Sequence, residues 1–178
     1  MPMEVKEIFE ATSKSVRDML SENGMGLYIP PYQRPYGWDK DKVEKLVDDI
    51  LHGFSSLLSD PESFTFLGTV ITIHDTNYVT VQPIVRTETP AKVLTVIDGQ
   101  QRLTSLLMLC IALQNQIRMA QSKFLKGREE QQLDPAESWL NSQALQRIQE
   151  LATTFFDKQA SGDAPIYPRM IRTYLKFA

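Results

Sequence analysis

Apolar positions recur along the chain with two different periods, and the switches between them mark the elements. From Glu4 to Asn23 the residues Val5, Ile8, Phe9, Thr12, Val16, Met19 and Leu20 fall at helical spacing with Gly24 as a stop, which predicts an amphipathic helix. Met25 to Ile29 is short and apolar, and Pro30 and Pro31 then hold the chain extended without a backbone donor, so a strand is predicted. From Asp39 to Leu58 the helical pattern returns through Val43, Leu46, Val47, Ile50, Leu51, Phe54, Leu57 and Leu58, with Asp39 and Asp41 at the end that favours negative charge.

Three β-rich stretches follow, Phe64 to His74, Tyr78 to Arg86 and Lys92 to Ile97, the first pair reading as a hairpin. At Asp98-Gly99 the period changes again, and Leu103, Leu106, Leu107, Cys110, Leu113 and Ile117 share a helical face. Because Leu106 to Leu113 is apolar on every side, this helix is predicted to pass through the middle of the domain. Lys123 to Asp134 reads as a surface connection between two helices or a frayed extension of the first. A fourth helix is predicted from Pro135 to about Lys158, burying Leu140, Ala144, Leu145, Ile148, Leu151, Phe155 and Phe156, with Ser161-Gly162-Asp163 as its breaker. The expected fold is α+β, a small mixed sheet flanked by several helices, in a single domain over residues 1–178. The tail from Ile166 to Ala178 stops without a cap or polar fade, so a fragment of a longer protein is expected.

Composition adds exclusions. With 178 residues, 42% of them hydrophobic, the chain can build one core without staples, and the lone Cys110 makes no internal disulfide. No basic-apolar-small signal order occurs, and no apolar run exceeds Leu106 to Leu113, so a cytoplasmic protein with no membrane partner is expected. Nineteen basic against 22 acidic residues give a net charge of −3, which argues against a broad electrostatic grip on DNA by this chain alone. His52 and His74 stand apart without cysteine pairs, which disfavours structural zinc, and no glycine precedes Lys-Ser or Lys-Thr, which leaves the P-loop class unsupported.

Chemistry concentrates in two segments. Val96-Ile97-Asp98-Gly99-Gln100-Gln101-Arg102-Leu103-Thr104 places a carboxylate, a glycine, two amides and a guanidinium where a strand hands over to a helix. Helix N-termini present free N–H groups and the positive end of the macrodipole, Gly99 permits close backbone approach, and Arg102 can grip phosphate oxygens bidentately. Gln100 or Gln101 could orient a water, and Asp98 could hold magnesium. The plainer alternative is that Asp98 caps the helix and Arg102 pairs with a surface carboxylate. In Tyr28-Ile29-Pro30-Pro31-Tyr32-Gln33-Arg34-Pro35-Tyr36-Gly37-Trp38, aromatics alternate with an amide and an arginine on a proline-stiffened loop. These aromatics could stack a base and Arg34 could reach phosphate, although packing of Tyr and Trp onto the core is the more frequent arrangement.

Taken together, Ile29 to Trp38 and, some way downstream, Ile97-Asp98-Gly99-Gln100-Gln101-Arg102-Leu103-Thr104 resemble the N-terminal domain of GmrSD-type restriction enzymes, a family similar in fold to ParB and sulfiredoxin. Phe66-Leu67-Gly68-Thr69-Val70-Ile71 matches the family's strand start, and Pro168-Arg169-Met170-Ile171 looks like a later family segment. The resemblance implies a domain that binds and hydrolyses a nucleoside triphosphate (ATP, GTP, CTP or UTP) with Mg2+, in a phage-defence system acting on modified DNA. It carries the nucleotide site to Asp98, Gly99, Gln100, Gln101 and Arg102, and the second half of a phosphate clamp to Gln33 and Arg34. Tyr32, Tyr36 and Trp38 would shape the pocket. Asp98, Gln100 and Gln101 are the candidate catalytic groups, with Asp98 the candidate metal ligand.

The family usually continues into a His-Asn-His type nuclease domain, for which this chain has neither the length nor the histidines, so DNA cleavage by it is not expected. Two rival readings remain: a non-catalytic DNA-sensing module, or an assembly domain that controls a nuclease partner. Both monomer and homo-oligomer are compatible with the sequence.

Overall fold

In the computed structural model, which describes residues 10–22, 24–74, 92–128, 132–158, 166–168 and 170–171, the first helix is short. Helix α1 (Val16–Ser21) begins where the Ser15 hydroxyl accepts the Asp18 N–H at 3.0 Å, a cap that falls inside the apolar pattern and so overrides the longer helix the spacing predicts. Residues 10–15 are not helical, and residues 4–9 of the predicted helix lie outside the described residues. Strand β1 (Met25–Tyr28) gives out just before the proline pair. Helix α2 (Lys40–Ser59) is capped by Asp39, whose carboxylate accepts the Lys42 N–H at 3.1 Å. The Lys42 ammonium, 2.8 Å from the same carboxylate, helps hold the Asp39 carboxyl below its usual range.

The remaining described elements are β2 (Ile71–His74), β3 (Lys92–Asp98), α3 (Gln100–Phe124), α4 (Pro135–Phe155), β4 (Phe156–Lys158), β5 (Ile166–Pro168) and β6 (Met170–Ile171). Four strands form one sheet in the order β2-β3-β1-β6, while β4 and β5 make a separate antiparallel pair. β1 runs parallel to both β3 and β6, and β2 runs antiparallel to β3, so the sheet is mixed and the fold is α+β. Flanked on both edges, β1 is buried at every position, and this explains why Met25-Gly26-Leu27-Tyr28 reads as a continuous apolar run rather than an alternation. The core joins Leu20 of α1, Met25 and Leu27 of β1, Val96 of β3 and Leu103 of α3.

The structure corrects several expectations. Within Phe64 to His74 only Ile71–His74 is strand, and the predicted Tyr78 to Arg86 strand and its hairpin lie outside the described residues. Helix α3 does not run enclosed through the domain. Leu103 and Leu106 pack inward, but farther along, where α4 packs on one side, Met108, Ile111 and Leu113 stay exposed. Helix α4 ends at Phe155 rather than Lys158, and the chain turns at once into β4. Its predicted face holds at Ala144, Ile148 and Leu151, which are half-buried, but Leu140 and Leu145 are exposed and Asn141 and Thr154 are buried instead.

Polar side chains occupy part of the covered face. The Gln114 amide donates across to the Ile148 carbonyl at 2.8 Å, and the Gln121 amide donates to Asn141 Oδ1 at 2.8 Å. Hydrogen bonds between the helices thereby place amides where an apolar stripe is expected. At the start of α4, Asp134 Oδ1 accepts the N–H groups of Ala136 and Glu137 while Glu137 accepts the Asp134 N–H, a reciprocal cap. No helix among the described residues is long and apolar enough to cross a membrane.

Candidate functional site

β1 and β3 lie side by side in the same direction, Tyr28 opposite Thr95, so their carboxyl ends open at the same edge of the sheet. β2 begins at that edge, because Ile71 pairs with Asp98 across the antiparallel ladder. The segments that follow Tyr28, follow Asp98 and precede Ile71 therefore converge, although they are far apart in sequence. In sheets with parallel neighbours, the space beyond the strands' carboxyl ends is where ligands are most often bound.

Asp98 closes β3, and Gly99 then takes a left-handed conformation (φ 89, ψ 3) that directs the chain into α3. A Cβ on Gly99 would lie 3.0 Å from Val70 Cγ2 and 3.1 Å from the Thr69 carbonyl oxygen, so both backbone conformation and packing call for glycine. Gly99 is itself the N-cap of α3 and supplies no side-chain hydrogen bond, and no acidic residue occupies the first turn. Among the described residues the opening N–H groups of this 25-residue helix thus lack a side-chain acceptor at the positive end of the macrodipole. Asp98 does not cap the helix. Its side chain is exposed and makes no hydrogen bond or ion pair among the described residues.

Three glutamines strap the proline-rich loop onto this turn. A bond from the Gln33 N–H to the Pro30 carbonyl at 3.0 Å closes a turn around Pro31, and Gln33 Nε2 then donates to the Ile97 carbonyl at 2.7 Å. Gln100 Nε2 donates to the Arg34 carbonyl at 3.0 Å. Gln101 holds two points, donating from Nε2 to the Pro35 carbonyl at 3.1 Å and accepting the Gly37 N–H on Oε1 at 2.8 Å. The Tyr36 hydroxyl meets Ser105 Oγ at 2.9 Å. Gln100 and Gln101 are both buried, and Gln100 Oε1 is enclosed without a hydrogen-bond partner.

The cations are placed differently. Arg34 is exposed on the strapped loop, and its guanidinium makes no ion pair among the described residues. Arg102 pairs with no described carboxylate either. Its Nη1 donates to the Thr69 carbonyl at 3.0 Å, and its guanidinium lies against Gly68, whose φ is +106. Tyr32 is 72% exposed, while Tyr36 and Trp38 are half-buried. Among the described residues no group of three or more His, Cys, Asp or Glu could hold a metal ion. A single exposed carboxylate at Asp98 nevertheless fits magnesium, which takes one or two carboxylates and fills its remaining positions with phosphate oxygens and water.

All of Gln33, Arg34, Tyr36, Asp98, Gly99, Gln100, Gln101 and Arg102 are thus brought to one edge, with Tyr32 turned to solvent. Sequence reasoning missed Gly68, Thr69 and Ser105 as neighbours of the site. The usable signal was the glycine in Phe66-Leu67-Gly68, a residue type that a strand interior disfavours and a left-handed turn requires. A family model described as GmrSD restriction endonuclease, N-terminal domain, matches residues 16–174. No curated protein sequence matches the chain.

Proposed function

Because the chain belongs to the family of GmrSD restriction endonuclease N-terminal domains, we propose that it is the nucleotide-handling domain of a phage-defence restriction protein. It binds a nucleoside triphosphate between the Gln33-Arg34 loop and the start of α3, and hydrolyses it. One observation carries this reading: a helix N-terminus without a side-chain cap lies at the same sheet edge as two arginines that have no carboxylate partner among the described residues.

Arg34, Arg102 and the first-turn N–H groups neutralise phosphate charge, and this electrostatic stabilisation is the main source of rate. Magnesium, if bound with the nucleotide, would supply further charge neutralisation, held mainly by phosphate oxygens and waters, with Asp98 the carboxylate that could join them. Asp98 orients the attacking water and accepts its proton as the water oxygen bonds to the terminal phosphorus and the bridging P–O bond breaks, giving a nucleoside diphosphate and phosphate. Gln33 and Gln101, their amides engaged with backbone groups, hold the loop in place. The buried Gln100 Oε1 offers an acceptor to a water or to a ligand N–H. Modified DNA and a His-Asn-His type nuclease are reached through the rest of the restriction protein, which suits a chain whose net charge is −3.

Thermal unfolding followed with ATP, GTP, CTP and UTP plus magnesium tests this reading. A nucleotide at a hundred times its Kd stabilises the fold by about 2.7 kcal/mol, a shift of roughly 5–10 °C for a domain of this size. Arg102→Ala should lose that shift. A wild type that responds to none of the four nucleotides, or an Arg102→Ala protein that responds as the wild type does, rules the site out. A steep salt dependence of DNA binding without nucleotide turnover would favour the DNA-sensing alternative.

A further inference from the structure

We propose that Gly68 is a positioning residue for Arg102, forming with the Thr69 carbonyl a seat that pre-orients the guanidinium for an anionic oxygen ligand. This rests on the nucleotide reading above and specifies how one of its arginines is held.

The observation is the space above Gly68. A Cβ built there would fall 2.5 Å from Arg102 Cζ, 2.6 Å from Nη1 and 2.8 Å from Nη2. Three guanidinium atoms at nearly equal distance mean that the group lies broadside across the Gly68 Cα, in the volume that any other side chain would occupy. The φ of +106 lies where residues with a side chain are rarely found, so a substitution is strained there independently. Nη1 is fixed by the Thr69 carbonyl at 3.0 Å. A guanidinium has five N–H donors in a rigid plane, so one bond to a carbonyl orients the plane and leaves the others for a ligand. An arginine already held in this way loses less rotamer freedom on binding than a free one.

The seat shares the Thr69 carbonyl with the packing at Gly99, whose own Cβ would lie 3.1 Å from that oxygen, but the contact with the guanidinium itself is made at Gly68. Gly127 provides the matching control. Its φ is +75 and nothing lies within 4 Å of where its Cβ would be, so an alanine there carries backbone strain without displacing a neighbour.

The test is a double-mutant cycle read by calorimetric titration with ATP, GTP, CTP, UTP and inorganic tripolyphosphate, each with magnesium, on the wild type, Gly68→Ala, Arg102→Ala, the double variant and Gly127→Ala. Gly68→Ala should weaken Kd about tenfold or more, the scale of a lost charge-assisted hydrogen bond, and should cause no further weakening once Arg102 is already alanine. Gly127→Ala should lower Tm yet leave Kd within about twofold. Wild-type affinity in Gly68→Ala, or equal weakening with and without Arg102, overturns the seat while leaving the nucleotide reading intact. A wild type that binds none of the probes overturns both. If Gly68→Ala does not fold, nitrogen-resolved NMR of the free wild type decides: separate, slowly exchanging Arg102 Nη signals are expected, and a single averaged signal overturns the proposal.

Discussion

Gly37 gives its backbone N–H to the side-chain oxygen of Gln101 at 2.8 Å, while the nitrogen of the same amide donates to Pro35 at 3.1 Å. One buried side chain thus brackets Tyr36 and fixes the loop that carries Arg34. Replacing it with alanine strips a partner from two backbone groups at once. Gln101→Ala is expected to lower stability by about 1–3 kcal/mol and to speed amide hydrogen exchange at Tyr36 and Gly37 ahead of the rest of the domain. Gln101→Glu keeps the acceptor for Gly37 but sets a carboxylate oxygen against the Pro35 carbonyl, so its loss should approach that of alanine. Urea denaturation with residue-resolved exchange checks both, and unchanged exchange at Tyr36 and Gly37 would show that Gln101 does not hold the loop.

A second prediction concerns helix α2. Gly53 is buried in its interior, where alanine would ordinarily stabilise by about 1 kcal/mol. Here a Cβ would collide with the Thr65 side chain, because the segment after the helix folds back across Gly53. Gly53→Ala is therefore expected to destabilise by about 1–3 kcal/mol. In a Thr65→Gly background the same change should turn neutral or favourable. Chemical denaturation of the four proteins reads the sign directly, and a stabilised single variant would show that the segment does not rest on the helix.

These two glycines and one glutamine show where the sequence was legible and where it was not. Residue type singled out both segments as chemically rich, but each alone also had a structural reading, and only the two together carried the family resemblance. Their meeting was not readable from spacing, because it depends on β1 pairing in parallel with β3 at the register Tyr28 to Thr95. Long-range parallel pairing leaves no local trace in the chain. The glutamines read two ways. An amide reads equally well as a group for water and as a clamp on backbone, and burial with satisfied partners distinguishes them only in three dimensions. Most of the predicted α3 and α4 faces are buried or half-buried, and the positions that differ, Leu113, Leu140 and Leu145, do so for a related reason. Gln114 and Asn141 face the partner helix and bond across it, so at these two points the buried position is the residue next to the apolar one, Leu113 or Leu140.

A third prediction is a pH dependence. Glu22 accepts from Lys14 Nζ at 2.8 Å and faces Lys92 Nζ at 3.6 Å, joining the end of α1 to the start of β3. The Lys14 hydrogen bond is the main cause that holds its carboxyl below the usual value near 4.5. A carboxyl whose folded value is depressed binds its proton more readily when unfolded. Its contribution is therefore complete above the usual value and is lost as pH falls through the lower, folded one. Both partners are partly exposed, so the contribution at neutral pH is no more than about 1 kcal/mol. The stability gap between wild type and Glu22→Gln should be largest near neutral pH and close between about pH 5 and pH 3. Urea midpoints across that range measure it, and a gap that widens on acidification would contradict the ion pair.

The last prediction separates binding from chemistry at the sheet edge. Asp98 ends β3 opposite Ile71, and its exposed carboxylate has no cation or donor among the described residues, so no folded contact depends on its charge. Asp98→Asn should change stability by less than about 0.5 kcal/mol. If the carboxylate takes the proton from the attacking water, the amide should lower phosphate release at saturating nucleotide and magnesium by about 10²–10⁴-fold, with Kd within about threefold. Arg102→Ala should show the opposite pattern, with affinity lost first. The two variants together assign the steps: turnover at the wild-type rate in Asp98→Asn removes Asp98 from the chemistry but leaves the arginine site standing. Loss of binding in both would place Asp98 in the grip on magnesium and phosphate rather than in the proton transfer.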